Sequence, residues 1–205
     1  MFTLRQVRAA LQLPSESAAH NPMLPARQRP TPPPDTKPRL AGVLALLFGE
    51  DGDLRLLLTC RPDTLRNHAG QVSFPGGSMD AHDADLTATA LRETCEEVGI
   101  CDEDITILGH LNRIYIPPSN FEVLPTVGYL HQLPPLQLSI GEVTETLHVP
   151  LAWLLDETLR GTEMRNFRGY EFEAPYYHFF ERKVWGATAA MLGELELRLG
   201  AISVL

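Results

Sequence analysis

Cysteine, positive charge and long apolar runs are all scarce in this chain, and each shortage removes a class of protein. Cys60, Cys95 and Cys101 are odd in number and show no C-x-x-C spacing. Neither a disulfide framework nor a zinc site is therefore indicated, and a reducing cytoplasm is the expected compartment. The chain has 17 Lys and Arg against 26 Asp and Glu, a formal net charge of −9. That field repels nucleic acid and acidic membrane faces, which reward clustered bases, so neither is expected as a partner. An anionic ligand would need local arginines or a bound metal. No run reaches the roughly 20 apolar residues of a membrane span. The first 13 residues interleave apolar side chains with Arg5, Gln6 and Arg8, unlike a secretory signal.

What is present divides the chain. With 205 residues and 44% hydrophobic content, one globular domain is expected. Leu4, Val7 and Leu11 fall at helical spacing, after which residues 22–38 are rich in proline. A stretch such as Pro32-Pro33-Pro34 has no N–H to give to a ladder and prefers extended geometry. Residues 1–38 thus read as a short helix followed by a linker or an arm lying over the surface, and residues 39–205 as the compact domain. Within it, 42–48 and 54–59 predict a hairpin about the turn 49–53. Further strands are expected at 105–108, 111–116, 123–130, 142–149 and 176–180, with Pro117-Pro118 and Pro134-Pro135 as breaks. Helices are expected over 84–98, briefly after Pro150, and from Ala187, where Leu192, Leu195 and Leu199 keep helical spacing. The fold class that follows is α/β, a mixed sheet covered by helices on its faces.

The helix over 84–98 has an Asp before it, Gly99 after it and no Gly or Pro inside. It carries Glu93, Glu96 and Glu97, which at spacings of three and four share one face about 5 to 6 Å apart. Like charges so placed cost roughly 0.2 to 0.5 kcal/mol each, and acids in a last turn oppose the helix dipole. A hard divalent cation reverses both signs. No Lys between residues 84 and 104 relieves the repulsion. Helix physics alone leaves a solvated acidic face and a metal site both open. Gly76-Gly77, just upstream, adds a backbone able to approach a phosphate or offer a carbonyl to the same metal, and so favours the metal site.

Residues 77–100 resemble the Nudix box, G-x5-E-x7-R-E-U-x-E-E-x-G-U with U aliphatic. Arg92-Glu93, Glu96-Glu97, Gly99 and Ile100 are in register, and Thr94 replaces an aliphatic residue. The first half departs: Gly77 to Arg92 is one residue longer, and the early glutamate is absent, with Asp83 its nearest substitute. Residues 57–77, LLTCRPDTLRNHAGQVSFPGG, are similar to L-L-T-x-R-S-x3-R-x3-G-x3-F-P-G-G of the coenzyme A diphosphatase branch, with Pro62 in place of serine.

The resemblance covers about residues 39–199 and implies the Nudix α/β/α sandwich. It also implies Mg²⁺- or Mn²⁺-dependent hydrolysis of coenzyme A, or its acyl form, to 3′,5′-ADP and 4′-phosphopantetheine. On this reading Glu93 and Glu97, with Glu96 and the Gly77 carbonyl, hold the metal, and Arg92 orients a glutamate. The general base is either a box glutamate or an outside acid, for which Glu142 is the candidate; a solvated strand end is its other reading. Arg61 and Arg66 would grip phosphates, and Gly76 and Gly77 would approach them. Two other readings stay open: a Nudix hydrolase of another nucleoside diphosphate derivative such as ADP-ribose or NADH, and a non-catalytic nucleotide-sensing module. The partner is a small molecule in either case, and a homodimer is compatible with the sequence.

Overall fold

The structure is a computed structural model that describes residues 1–14, 21–24, 31–62, 70–101, 105–167 and 169–203. Arg66 and His68 lie outside the described residues. Along the chain come α1 (Leu4–Leu11), β1 (Arg39–Phe48), β2 (Arg55–Cys60), β3 (Val72–Ser73), β4 (Gly76–Ser78) and α2 (Leu86–Val98). These are followed by β5 (Thr106–His110), β6 (Ile114–Ile116), β7 (Phe121–Leu130) and β8 (Glu145–Pro150). After a 3-10 turn at Leu151–Leu155 come β9 (Arg160–Phe167), β10 (Tyr170–Phe179), β11 (Arg182–Trp185) and α3 (Gly186–Ser203).

The expected hairpin is present, with Leu47 opposite Leu56. β1 also runs parallel to β7 from Arg39↔Phe121 to Phe48↔Leu130, whereas the other pairings in this sheet are antiparallel, which makes it mixed. A side chain points to alternate faces along a strand, and both faces are covered. Leu44, Leu46 and Leu57 pack with Ala90 and Val98 of α2. Ala45, Leu47, Leu56 and Leu58 belong to the larger core with α1 and α3. Gly42 lets α2 lie close to β1, since a Cβ there would run into the Leu86 carbonyl.

Only part of the N-terminal segment lies over the surface: residues 31–38 are exposed or partly exposed, whereas residues 1–14 and 21–24 contribute to the core. Phe2, Val7, Ala10, Leu11, Met23 and Leu24 are buried in the same core as α3. Thr3 caps α1 through a reciprocal capping box with Gln6. Arg198 of α3, itself buried, donates to the Leu11 and Leu13 carbonyls at 3.2 and 2.9 Å. The Val7 and Leu11 stripe found its partner in α3, a helix buried almost all round from Thr188 to Glu196. One core therefore runs across the boundary placed at residue 38.

Neither β9 nor β11 was expected from the sequence. Apart from the buried Val184, their described side chains are exposed or partly exposed and mostly polar, held by contacts such as the Arg165 guanidinium 3.7 Å from the Trp185 ring. They pair with β10 through backbone hydrogen bonds, which leave no apolar alternation to read.

Candidate active site

The acidic helix starts and stops on local chemistry. The Asp85 side chain accepts from the Ala88 N–H at 2.8 Å, and Gly99 ends the helix in the left-handed region at φ 76°. Thr94, at the aliphatic position, is buried, with its hydroxyl donating to the Ala90 carbonyl at 2.7 Å. That bond is what makes a polar residue tolerable there.

Of the three carboxylates Glu96 is exposed, Glu93 half-buried and Glu97 buried, 6% exposed. Gly77 lies against Glu93 so closely that a Cβ on it would fall on the carboxyl group. The Gly76 N–H is bonded to the Glu97 carboxylate, whereas Glu97 Oε2 is buried without a hydrogen-bond partner. Burial pushes the Glu97 carboxyl up to about 7; the Gly76 bond and Arg61 oppose this, and Glu93 and Glu142 add repulsion. Burial also raises Glu93, against its bond to Arg92 and with repulsion from Glu96 and Glu142. The fold thus brings Glu93, Glu97, Glu142, Arg61, Gly76 and Gly77 to one place, with Glu96 on its rim.

Arg92 organises this face. Its Nε and Nη2 hold the two oxygens of Asp83 at 2.9 and 3.0 Å, Nη1 reaches Glu93 at 2.9 Å and Glu96 at 3.1 Å, and Nη2 also donates to the Ser78 carbonyl at 3.1 Å. All five guanidinium N–H donors are engaged. Asp83 also accepts from the Thr89 hydroxyl and the Asp80 N–H, at 2.9 and 2.8 Å. The Arg92 guanidinium holds the Asp83 carboxyl well below the usual carboxylate range. Asp83 therefore pairs with the arginine from a loop one residue longer than the motif, while the helix cap falls to Asp85.

Glu142 comes from far along the chain. Residues 136–144 cross from the end of α2 to the end of β2. Gln137 N–H donates to the Val98 carbonyl at 3.0 Å and Ser139 N–H to the Glu97 carbonyl at 2.9 Å, satisfying helix-end acceptors. Glu142 N–H returns to the Ser139 carbonyl at 3.1 Å, and Thr144 N–H bonds the Cys60 carbonyl at 2.9 Å. Arg61 follows directly, and its Nε is buried with no hydrogen-bond partner.

The cysteines depart from the expectation that no disulfide forms. Cys95 and Cys101 form a disulfide, with Cα atoms 4.4 Å apart. The left-handed turn at Gly99 brings the chain back against the last turn of α2, a return that spacing in sequence does not reveal.

Among the described residues, no three His, Cys, Asp or Glu side chains are gathered as a metal-binding group. Arg92 instead sits between Glu93 and Glu96. The donors nevertheless suit a hard divalent cation: a buried carboxylate oxygen lacks a partner, and carboxylates raise one another's affinity for positive charge.

Comparison with known proteins places this arrangement. The sequence profile of the NUDIX domain matches residues 38–167. A Cronobacter sakazakii protein named "Uncharacterized Nudix hydrolase NudL" is 41% identical over 157 residues, covering 71% of this chain and 75% of that protein. The crystal structure of a MutT/nudix family protein from Enterococcus faecalis superposes with a TM-score of 0.55 at 17% identity, over 81% of this chain and 63% of that one. A NUDIX hydrolase from Alicyclobacillus acidocaldarius gives 0.50 at 22% identity, over 60% and 83%. At such identities the structures speak for the fold alone.

Proposed function

The chain belongs to the Nudix hydrolase family, and from that premise we propose that its substrate is coenzyme A or an acyl derivative, cleaved to 3′,5′-ADP and (acyl-)4′-phosphopantetheine. Membership makes it a pyrophosphohydrolase of a nucleoside diphosphate derivative. The finer reading rests on one observation: Arg61, from the segment similar to the coenzyme A diphosphatase motif, brings a buried, unpartnered Nε beside Glu97. A guanidinium so placed recognises phosphate.

Glu93, Glu97 and the Gly77 carbonyl, with Glu96 at the rim, would hold Mg²⁺ or Mn²⁺. Such an ion neutralises charge on phosphoryl oxygens and lowers the pKa of water. Glu142, an exposed acid outside the helix that repels both Glu93 and Glu97, would take the proton from the attacking water. Arg61, and Arg66 from outside the described residues, pair with phosphate oxygens. Arg92, its donors engaged by Asp83 and the glutamates, positions the carboxylates.

Assaying products from coenzyme A, ADP-ribose and NADH in parallel with Mg²⁺ or Mn²⁺ tests this. Preferential release of 3′,5′-ADP is the expected result. Preference for ADP-ribose or NADH would give the substrate to another Nudix class, and no turnover of any would leave a sensing module. Arg61→Ala should lower kcat/KM on coenzyme A about tenfold more than on dephospho-coenzyme A, since a charge-assisted phosphate contact contributes roughly 1.5 to 3 kcal/mol. Equal losses on both would mean Arg61 holds the pyrophosphate instead.

A further inference from the structure

The Cys95–Cys101 bond sits where three segments meet. Cys95 lies in α2 between Glu93 and Glu96, and its carbonyl accepts the Gly99 N–H at 3.0 Å. The Gly99 turn returns Cys101 to the helix, and a Cβ on Gly99 would meet the Gln137 side chain at 2.8 Å. The third segment, residues 136–144, hangs on the Val98 and Glu97 carbonyls and carries Glu142. Glu97 therefore offers its carboxylate to the site and its carbonyl to the Glu142 segment, one turn from the disulfide. Cys101 is exposed, Cys95 partly covered. Beside Cys101 opens a cavity of about 460 Å³ lined by Leu130, Leu133, Pro134 and Pro135, with room for the body of a small thiol.

We infer that Cys95–Cys101 is a thiol-exchange site, and that its bonded form tightens the grip of the acidic helix on its divalent cation. A small-molecule thiolate attacks the exposed Cys101 Sγ, the Cys95–Cys101 bond breaks, and Cys95 leaves as a thiolate that takes a proton. A second thiolate attacks the reagent sulfur of that adduct and Cys101 leaves as a thiolate that takes a proton, giving two protein thiols and one disulfide of the reagent; two electrons pass from the two thiols to the protein. Opening the bond unties the helix end that orients Glu97 and Glu142. Groups that orient metal ligands typically change metal affinity by 10- to 100-fold.

This inference rests on the metal-site reading above, so its test measures Mn²⁺ binding directly. Full-length protein is oxidised, or reduced with a dithiol and desalted anaerobically, and titrated calorimetrically with Mn²⁺ alone. Peptide mass spectrometry after alkylation reports the cysteines, and glutathione serves as the exchanging thiol. The expected results are a 95–101 cross-link in the oxidised protein, a glutathione adduct on Cys101 during exchange, and Mn²⁺ binding about tenfold weaker after reduction. Cys101→Ser should bind at the weaker value whether oxidised or reduced, which separates this bond from Cys60. Equal Mn²⁺ affinity in both redox states, or no cross-link on oxidation, overturns the inference and leaves the metal site standing. No Mn²⁺ binding in either state overturns the metal-site reading and the inference together.

Discussion

Glu97→Gln keeps the shape of a buried side chain and removes its charge, so it separates what the metal site costs the fold from what it does for the reaction. The Glu97 carboxyl moves from an ordinary 4.5 to about 7 on folding. Each pH unit is about 1.4 kcal/mol, so the ionised group costs the metal-free fold about 3 kcal/mol at pH 8. The sign follows from proton uptake. Between pH 4.5 and 7 the folded protein keeps a proton that the unfolded chain has lost, so stability falls as pH rises through that window. Glutamine does not titrate and still offers an oxygen to the Gly76 N–H. In urea denaturation with chelator, Glu97→Gln should exceed wild type by about 1 to 3 kcal/mol at pH 8, and the two should converge near pH 4, where Glu97 is protonated in both states. Saturating Mn²⁺ should reverse the order at pH 8, because an ion that binds only the folded wild type stabilises it alone. Turnover should be largely lost throughout. A variant less stable than wild type at pH 8 without metal would rule this out, since it would make the buried carboxylate a net structural asset.

Asp83→Asn should lower both kcat and Tm at neutral pH by releasing Arg92 from its two-pronged partner. Because Arg92 depresses the Asp83 carboxyl, that stabilisation is present above about pH 4 and lost as pH falls through the folded value, so melting curves should converge in strong acid. Gly77→Ala places a methyl on the Glu93 carboxyl group and should cut kcat by roughly 10-fold or more, in the range typical of misoriented ligands, while the melting temperature changes little. Leu11→Ala truncates a side chain buried in the core that α1 shares with α3, and should cost about 2 to 5 kcal/mol in urea titrations. A loss under about 1 kcal/mol would mean that the N-terminal segment adds little to the core.

What local chemistry controls could be read from the chain alone. The acidic helix was legible because an Asp cap, a stretch without Gly or Pro, and Gly99 decide where a helix begins and ends within a few residues. The mixed α/β sheet was legible because buried strands such as β1 and β7 are apolar runs broken by turn residues. The family was legible because the spacing of Arg92, Glu93, Glu96 and Glu97 is a property of one helix. The remaining features came from the packing of distant segments. Asp83 meets Arg92 because the 78–83 loop folds back along α2. Glu142 reaches the site because the Ser139 and Thr144 amides fasten its segment to the ends of two other elements. Cys101 finds Cys95 because Gly99 turns left-handed, and α1 joins the core because α3, much later in the chain, has a face left to cover. Those contacts depend on which backbone groups and faces remain unsatisfied once the sheet has formed, and a chain read in order does not carry that information.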